Sequence, residues 1–200
     1  LADIPPILVS VLRFGLAAVP MVFFLPRPKV PLRLLAGFVC FQFILQFALL
    51  FVGMHLGMPA GLSSIVIQLQ GFFTIGFAAL FLGDRPRLMQ SVGAPVALAG
   101  IALVALHLEA RATLLGFALV IGAGLAWSLG NIFTKLMGQV DAMALVVWGS
   151  LAASPCMLLL SLALEGPSRI WFALAHLSWA SAGTILFQAY PATLFCFTAW

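Results

Sequence analysis

Charge is scarce in this sequence. Only 7% of its 200 residues are Asp, Glu, Lys or Arg, 64% are hydrophobic, and the mean hydropathy is +1.21. A soluble domain carries about 25% charged residues. No folded core could hide this much apolar surface from water, so the solvent must be partly lipid and the chain an integral membrane protein. Acids are the rarest class, five in all, and none falls inside an apolar run. That removes paired carboxylates and a carboxylate proton relay from the apolar segments. Any coupling carboxylate then lies elsewhere, or coupling uses another group.

Other chemistries are missing too. The three histidines sit at or beyond the ends of the apolar runs, and Cys40, Cys156 and Cys196 are flanked by apolar side chains. No metal site, disulfide framework or cofactor is expected from them. The formal charge of +4 is spread too thinly for a phosphate-tracking stripe, which excludes nucleic acid. The glycines lie within apolar runs, so no nucleotide-binding loop is supported and ATP drive would need a partner chain. The sequence opens at Leu1 without a basic leader, and no signal peptide is read.

What is present is a series of long apolar stretches. Seven can cross a hydrocarbon layer of about 30 Å, which needs ~20 helical residues. They run over 7–25, 33–54, 58–82, 90–107, 113–136, 142–164 and 180–200. Lipid satisfies no backbone hydrogen bond and the runs do not alternate, so they are helices and not a membrane barrel. Six breaks separate them: "PRPKVPLR", "LGMPAG", "GDRPR", "HLEARA", "MGQVDA" and "EGPSRIWFALAHLSW". The first, third and fifth hold Arg27, Lys29, Arg33, Arg85, Arg87 and Lys135, whereas the others hold only Arg111 and Arg169. By the positive-inside rule the first set is cytoplasmic, so residue 1 starts outside and residue 200 ends near the cytoplasm. The expected location is a bacterial cytoplasmic membrane.

The sequence also repeats itself. Aligning Leu8–Leu25 with Met143–Leu160 matches Leu16/Leu151, Ala17/Ala152, Ala18/Ala153, Pro20/Pro155 and Leu25/Leu160. "AGFVCFQ" at Ala36–Gln42 then matches "AGTILFQ" at Ala182–Gln188. The unit is five spans, an odd number, so the second copy points the opposite way. Inverted repeats are the architecture of many secondary transporters, with the substrate site near the midplane between copies. The fold class expected is therefore an all-α polytopic bundle: residues 1–108 hold helices two to five of one copy, and residues 113–200 hold helices six to eight of a ten-helix whole.

"MPAGLSSIVIQLQGFFTIGFAALFLGDRP" (Met58–Pro86), followed by "GAPVALAGIALVAL", resembles the fourth and fifth helices of EamA-type transporters of the drug/metabolite transporter superfamily. "RFGLAAVPMVFFLPRPKVP" (Arg13–Pro31) and "GFALVIGAGLAWSLGNIFTKLM" (Gly116–Met137) are similar to the subgroup that exports cysteine and O-acetylserine. The resemblance covers almost the whole chain. It departs at Asp84, where the family usually has Glu. It implies export of a small polar metabolite by alternating access.

Polar residues inside the spans are the candidate substrate contacts. Arg13, ~9 Å of helix rise inside the first span, either counters a substrate carboxylate or snorkels outward; its repeat counterpart is Trp148. Gln42 and Gln188 are repeat equivalents, and Gln46 shares Gln42's face one turn on. Each is read either as a ligand for a zwitterion or as an interhelical hydrogen bond. Ser64 and Gln68 share a face, with Gln70 on another. Ala118, Gly122, Ala126 and Gly130 form a small-residue ladder beside a stripe of Trp127, Asn131 and Lys135, of which Lys135 is an interfacial anchor. Tyr190 adds a hydroxyl, and Pro20, Pro155 and Pro191 are expected to kink their helices.

Three functions compete. A secondary transporter exporting an amino acid or derivative is favoured, with drugs, sugars or nucleotide sugars as alternative substrates. An intramembrane enzyme lacks a nucleophile with a base, and "GLSS" at Gly61–Ser64 is a poor nucleophile elbow. A non-transporting structural membrane protein would show no saturable flux. Expected partners are a small-molecule substrate and membrane lipids, with a homodimer left open.

Overall fold

Lipid leaves each apolar run one way to satisfy its backbone, and the computed structural model, which describes residues 4–86, 88–106 and 113–196, is helical throughout with no strand among those residues. The fold is an all-α polytopic membrane protein. Its elements are α1 (Pro6–Ala18), α2 (Leu32–His55), α3 (Ala60–Leu82), α4 (Leu88–Leu106), α5 (Leu114–Met137), α6 (Ala142–Leu164), α7 (Pro167–Ala175) and α8 (Trp179–Phe195). Four of these, α2, α3, α5 and α6, are long and apolar enough to cross a membrane, and α7 with α8 make a fifth if taken as one span bent by 106°. The fourth break with Arg111, Arg87, and the last four residues of the seventh span lie outside the described residues.

Several expectations are corrected. The first span is regular over only 13 residues: Val19 keeps helical angles, but Pro20 has no N–H to give the Leu16 carbonyl, so the helix ends before it and the chain continues as turns to Phe24. By contrast α6 carries Pro155 inside an unbroken helix. The sixth break, read as a loop, is largely helix α7, started by Pro167 at its first position after Gly166 at φ 83°. The second span contains a π-helical segment at Val39–Leu45, and α8 contains another at Tyr190–Phe195. In α8, Pro191 cannot donate to the carbonyl of Phe187, and the ladder widens there.

Caps fix the ends. Thr113 accepts from the Gly116 N–H at 3.1 Å and Asp141 from the Met143 N–H at 2.9 Å. At the end of α3, Gly83 adopts φ 68°, the left-handed region open to glycine, and the Gly83 and Asp84 N–H groups both reach back to the Ala78 carbonyl.

Packing follows two seams. Helices α1 and α6 run antiparallel: Ala17 packs with Val146 and Val147, whereas Val11 and Phe14 pack with Ala153 and Met157 nearer the other end. Ala17 and Ala153 of the repeated motif thus lie in the α1–α6 interface, whereas Ala152 is exposed. Helix α5 lies between α2 and α3. It crosses α2 at Gly53 and Gly116, where a Cβ on either glycine would come within 2.9 Å of the other's carbonyl oxygen, so only glycine permits this approach. The contact continues through Gly122 and Gly130, while Ala118 of the expected ladder is exposed.

The breaks sort by end. Leu56 meets Thr113, and Ile7 meets Glu165, at one end of the bundle. At the other, Lys135 pairs with Asp84, and the Trp148 indole donates to the Leu25 carbonyl at 3.2 Å. Arg27, Lys29, Arg33 and Arg85 belong to breaks at this second end.

Candidate functional site

Three polar clusters lie within the helices, each positioned by an irregular turn. The π segment of α2 sets Gln42 against α5, where it is 4% exposed. With its amide oriented to suit its neighbours, Gln42 accepts from the Trp127 indole N–H at 2.9 Å and donates to the Trp127 carbonyl at 3.2 Å. Gly130 lies against Gln42 and leaves the space its side chain fills. Two candidates thus meet each other. Gln46, one turn on and also 4% exposed, makes no hydrogen bond to another described residue.

The second cluster joins α3 to α5. A turn of 3₁₀ helix at Ile67–Leu69 tightens α3 just before Gln70. Asn131 donates to the Gln70 side-chain oxygen at 3.3 Å and to the Thr74 hydroxyl at 3.1 Å. Ser128 donates to the Gln70 carbonyl at 2.8 Å. Of the two glutamines in this helix, Gln70 faces the seam. Gln68 and Ser64 are exposed on the outside of the described bundle, Ser64 donating to the Gly61 carbonyl at 2.6 Å.

The third cluster lies between α1 and α8. The Arg13 Nε donates to the Thr193 hydroxyl at 2.6 Å, and that hydroxyl donates to the Gln188 carbonyl at 2.7 Å. Thr193 is fully buried. The guanidinium carbon sits 5.5 Å from the Phe14 ring centroid and 5.6 Å from that of Phe47. No Asp or Glu among the described residues pairs with it. The Gln188 side chain is half-buried, and Tyr190 packs half-buried against Ala17, Val146 and Val147. Gln42 and Gln188 are not joined by a hydrogen bond among the described residues.

Above the third cluster the bundle opens. A cavity of about 840 Å³ lies at the end holding the α1 N-terminus, bounded by α1, α2, α6 and α7. Phe51, Val52, Ile7 and Phe172 give it apolar walls, while His55, Glu165 and Arg169 give it charge. Phe51 packs on Phe47, with ring centroids 5.9 Å apart, so the aromatic column beside Arg13 reaches the cavity.

Sequence reasoning missed Thr193, Thr74, Ser128 and the structural use of Glu165. A hydroxyl close behind a helix proline was the available signal for Thr193. Nothing in the sequence marked Thr74 or Ser128, since hydroxyls of that kind ordinarily bond to their own helix.

Buried neutral polar groups in helix seams, around one mid-helix cation and an open cavity, belong to a class of membrane proteins that move solutes. The profile of the EamA-like transporter family matches residues 1–106. A protein of Salmonella typhimurium named "Probable amino-acid metabolite efflux pump" is 38% identical over all of this chain and 69% of its own length. Its namesake in Escherichia coli is 35% identical over the same shares. An uncharacterized transporter of Bacillus subtilis is 24% identical over 99% of this chain and 70% of its own length. The chain belongs to the EamA-like transporter family: it is an integral membrane transporter and not an enzyme.

Proposed function

We propose that the protein exports a small amino-acid-type metabolite, such as cysteine or O-acetylserine, by alternating access, with Arg13 receiving the substrate carboxylate. Arg13 is the observation that carries this reading. A guanidinium held at this depth by a neutral hydroxyl, with no acidic partner among the described residues, has terminal N–H groups left for a carboxylate. Gln46, buried without a hydrogen-bond partner among the described residues, offers a carboxamide oxygen for the substrate's ammonium. The names of the two enterobacterial relatives support the substrate class.

The site lies between two inverted five-helix copies. Antiparallel pairing of α1 with α6, and π segments in both helices that carry the A-G-x-x-x-F-Q match, support the duplication. Rocking of one copy against the other exposes the site to each side in turn. The basic end faces the cytoplasm, and the cavity opens outward.

The test uses the full-length protein and Arg13 variants in reconstituted vesicles loaded with radiolabelled cysteine, O-acetylserine or other amino acids. Losing a charge-assisted hydrogen bond lowers Arg13→Gln transport by about tenfold or more, with insertion unchanged, and Arg13→Lys retains part of the rate. Arg13→Gln transporting at the wild-type rate would contradict the assignment. Flux of sugars or drugs without amino acids would overturn the substrate class.

A further inference from the structure

Helix α7 has no part in the transport site, yet its placement is well defined. Gly166 and Pro167 open it, and the His176 N–H closes it on the Phe172 carbonyl at 3.1 Å. Two residues later the Ser178 hydroxyl caps α8 by accepting from the Ser181 N–H at 3.1 Å. The two helices therefore meet at a short capped break, bent by 106°. Helix α8 runs alongside α1, with Ile185 near Leu8 and Leu194 near Ala17. Helix α7 thus lies almost perpendicular to both, across the end of the bundle where the cavity opens.

Its side chains divide into three sides. Ile170 and Ala173 are buried against Ile4, Leu8 and Val9 of α1 and Ile185 of α8. At about 100° per residue, Ser168, Arg169 and Phe172 fall on one flank, and all three line the cavity. Trp171 and Leu174 fall on the opposite flank, away from it. Trp171 is 75% exposed, and Trp179 at the start of α8 is 94% exposed. The interior tryptophans behave differently: the Trp127 indole donates to Gln42 and the Trp148 indole to the Leu25 carbonyl. Neither Trp171 nor Trp179 has a hydrogen-bond partner among the described residues.

We propose that α7 is an interfacial helix: its Trp171–Leu174 flank, together with Trp179, docks into the phospholipid headgroup region of the leaflet at the cavity end. The mouth of the cavity is thereby held at the membrane surface. An indole has a large apolar body and one N–H donor, and the headgroup boundary satisfies both at once. Bulk water would leave the ring exposed, and the hydrocarbon centre would leave the N–H unpaired. The surface is also continuous with lipid-facing surface on either side. Leu159 and Leu162 are exposed where α6 leads into α7, and Leu186 and Phe187 are exposed on α8 beyond it. Apolar residues on one flank and Arg169 on the other are the pattern of a helix lying in the plane of the interface. At nine residues, ~14 Å, it is too short to span.

The experiment needs no substrate. Full-length protein keeping Trp171 or Trp179 as its sole tryptophan, the others replaced by Phe, is reconstituted in phosphatidylcholine vesicles. The lipid carries bromine either near the headgroup or near the chain ends. Bromine near the headgroup quenches the emission of each tryptophan at least about twofold more strongly than bromine at the chain ends. Stronger quenching from the chain ends would overturn the proposal. So would quenching by aqueous acrylamide alone, which means open water, or by neither reagent, which means cover by another helix or a second copy. Should the loss of Trp127 impair folding, spin labels give the same answer with all other tryptophans kept. In protein freed of reactive native cysteines, labels on Trp171→Cys and Leu174→Cys relax more with oxygen, which concentrates in lipid, than with a water-soluble nickel chelate. A label on Ser168→Cys, on the cavity flank, shows the reverse order. The same order at all three positions would contradict the assigned faces.

Discussion

Gln42, Trp127 and Gly130 define what a single residue can mean in this bundle. All three were legible as interior polar or small positions, but their pairing was not, because Gln42 and Trp127 are brought together only when α5 settles on α2. With both amide ends engaged by Trp127, Gln42 reads as a structural bond across the seam. Replacing it with Leu leaves the Trp127 N–H buried and unpaired, a cost of about 1–3 kcal/mol. The expected outcome is a lower melting temperature of the solubilised full-length protein, with a turnover per folded molecule close to wild type. Gly130→Val has the larger effect on yield, because its side chain must occupy Gln42's place. Arg13→Gln should do the opposite, leaving thermal stability nearly intact and removing transport. Thr193, which holds Arg13, escaped the sequence because a lone hydroxyl in an apolar helix is common and usually bonds to its own backbone.

At the scale of elements, hydropathy located the long helices well because length and apolarity are what lipid selects. It could not distinguish an α turn from a π or 3₁₀ turn, since all three bury the same side chains. Those turns nonetheless set the seams: the π segment at Val39–Leu45 holds Gln42, and the 3₁₀ turn at Ile67–Leu69 precedes Gln70. Prolines were legible as breakers but not in their effects. Pro20 ends α1, Pro155 is absorbed in α6, and Pro191 sits in a π turn. Pro191→Ala restores the missing N–H, and closing one π turn rotates the remainder of α8 by about 100°. Thr193 then leaves Arg13. Transport is expected to fall severalfold while membrane insertion is unchanged; an unaltered rate would show that the π turn does not position this contact.

For the molecule as a whole, the alternation of breaks between two ends came directly from the placement of Lys and Arg, and the structure groups the breaks in the same way. The antiparallel seam of α1 and α6 was not legible: matched positions in the two spans suggested a repeat, not which helices pack together. Nor was the cavity, because its walls come from four helices far apart in sequence. The proposed orientation predicts that Ser168→Cys reacts with a membrane-impermeant thiol reagent in intact cells, whereas Lys29→Cys reacts only after permeabilisation. The reverse pattern would invert the direction of transport.

The central claim is that a cation between α1 and α8 receives the carboxylate of an exported amino-acid metabolite. It is tested most directly by measuring cysteine, O-acetylserine and a panel of other amino acids released from cells making the full-length protein, wild type beside Arg13→Gln at matched membrane levels. The account predicts selective release by the wild type and near-vector release by the variant. Equal release by both would remove Arg13 from the site, and no release by either would remove the amino-acid substrate.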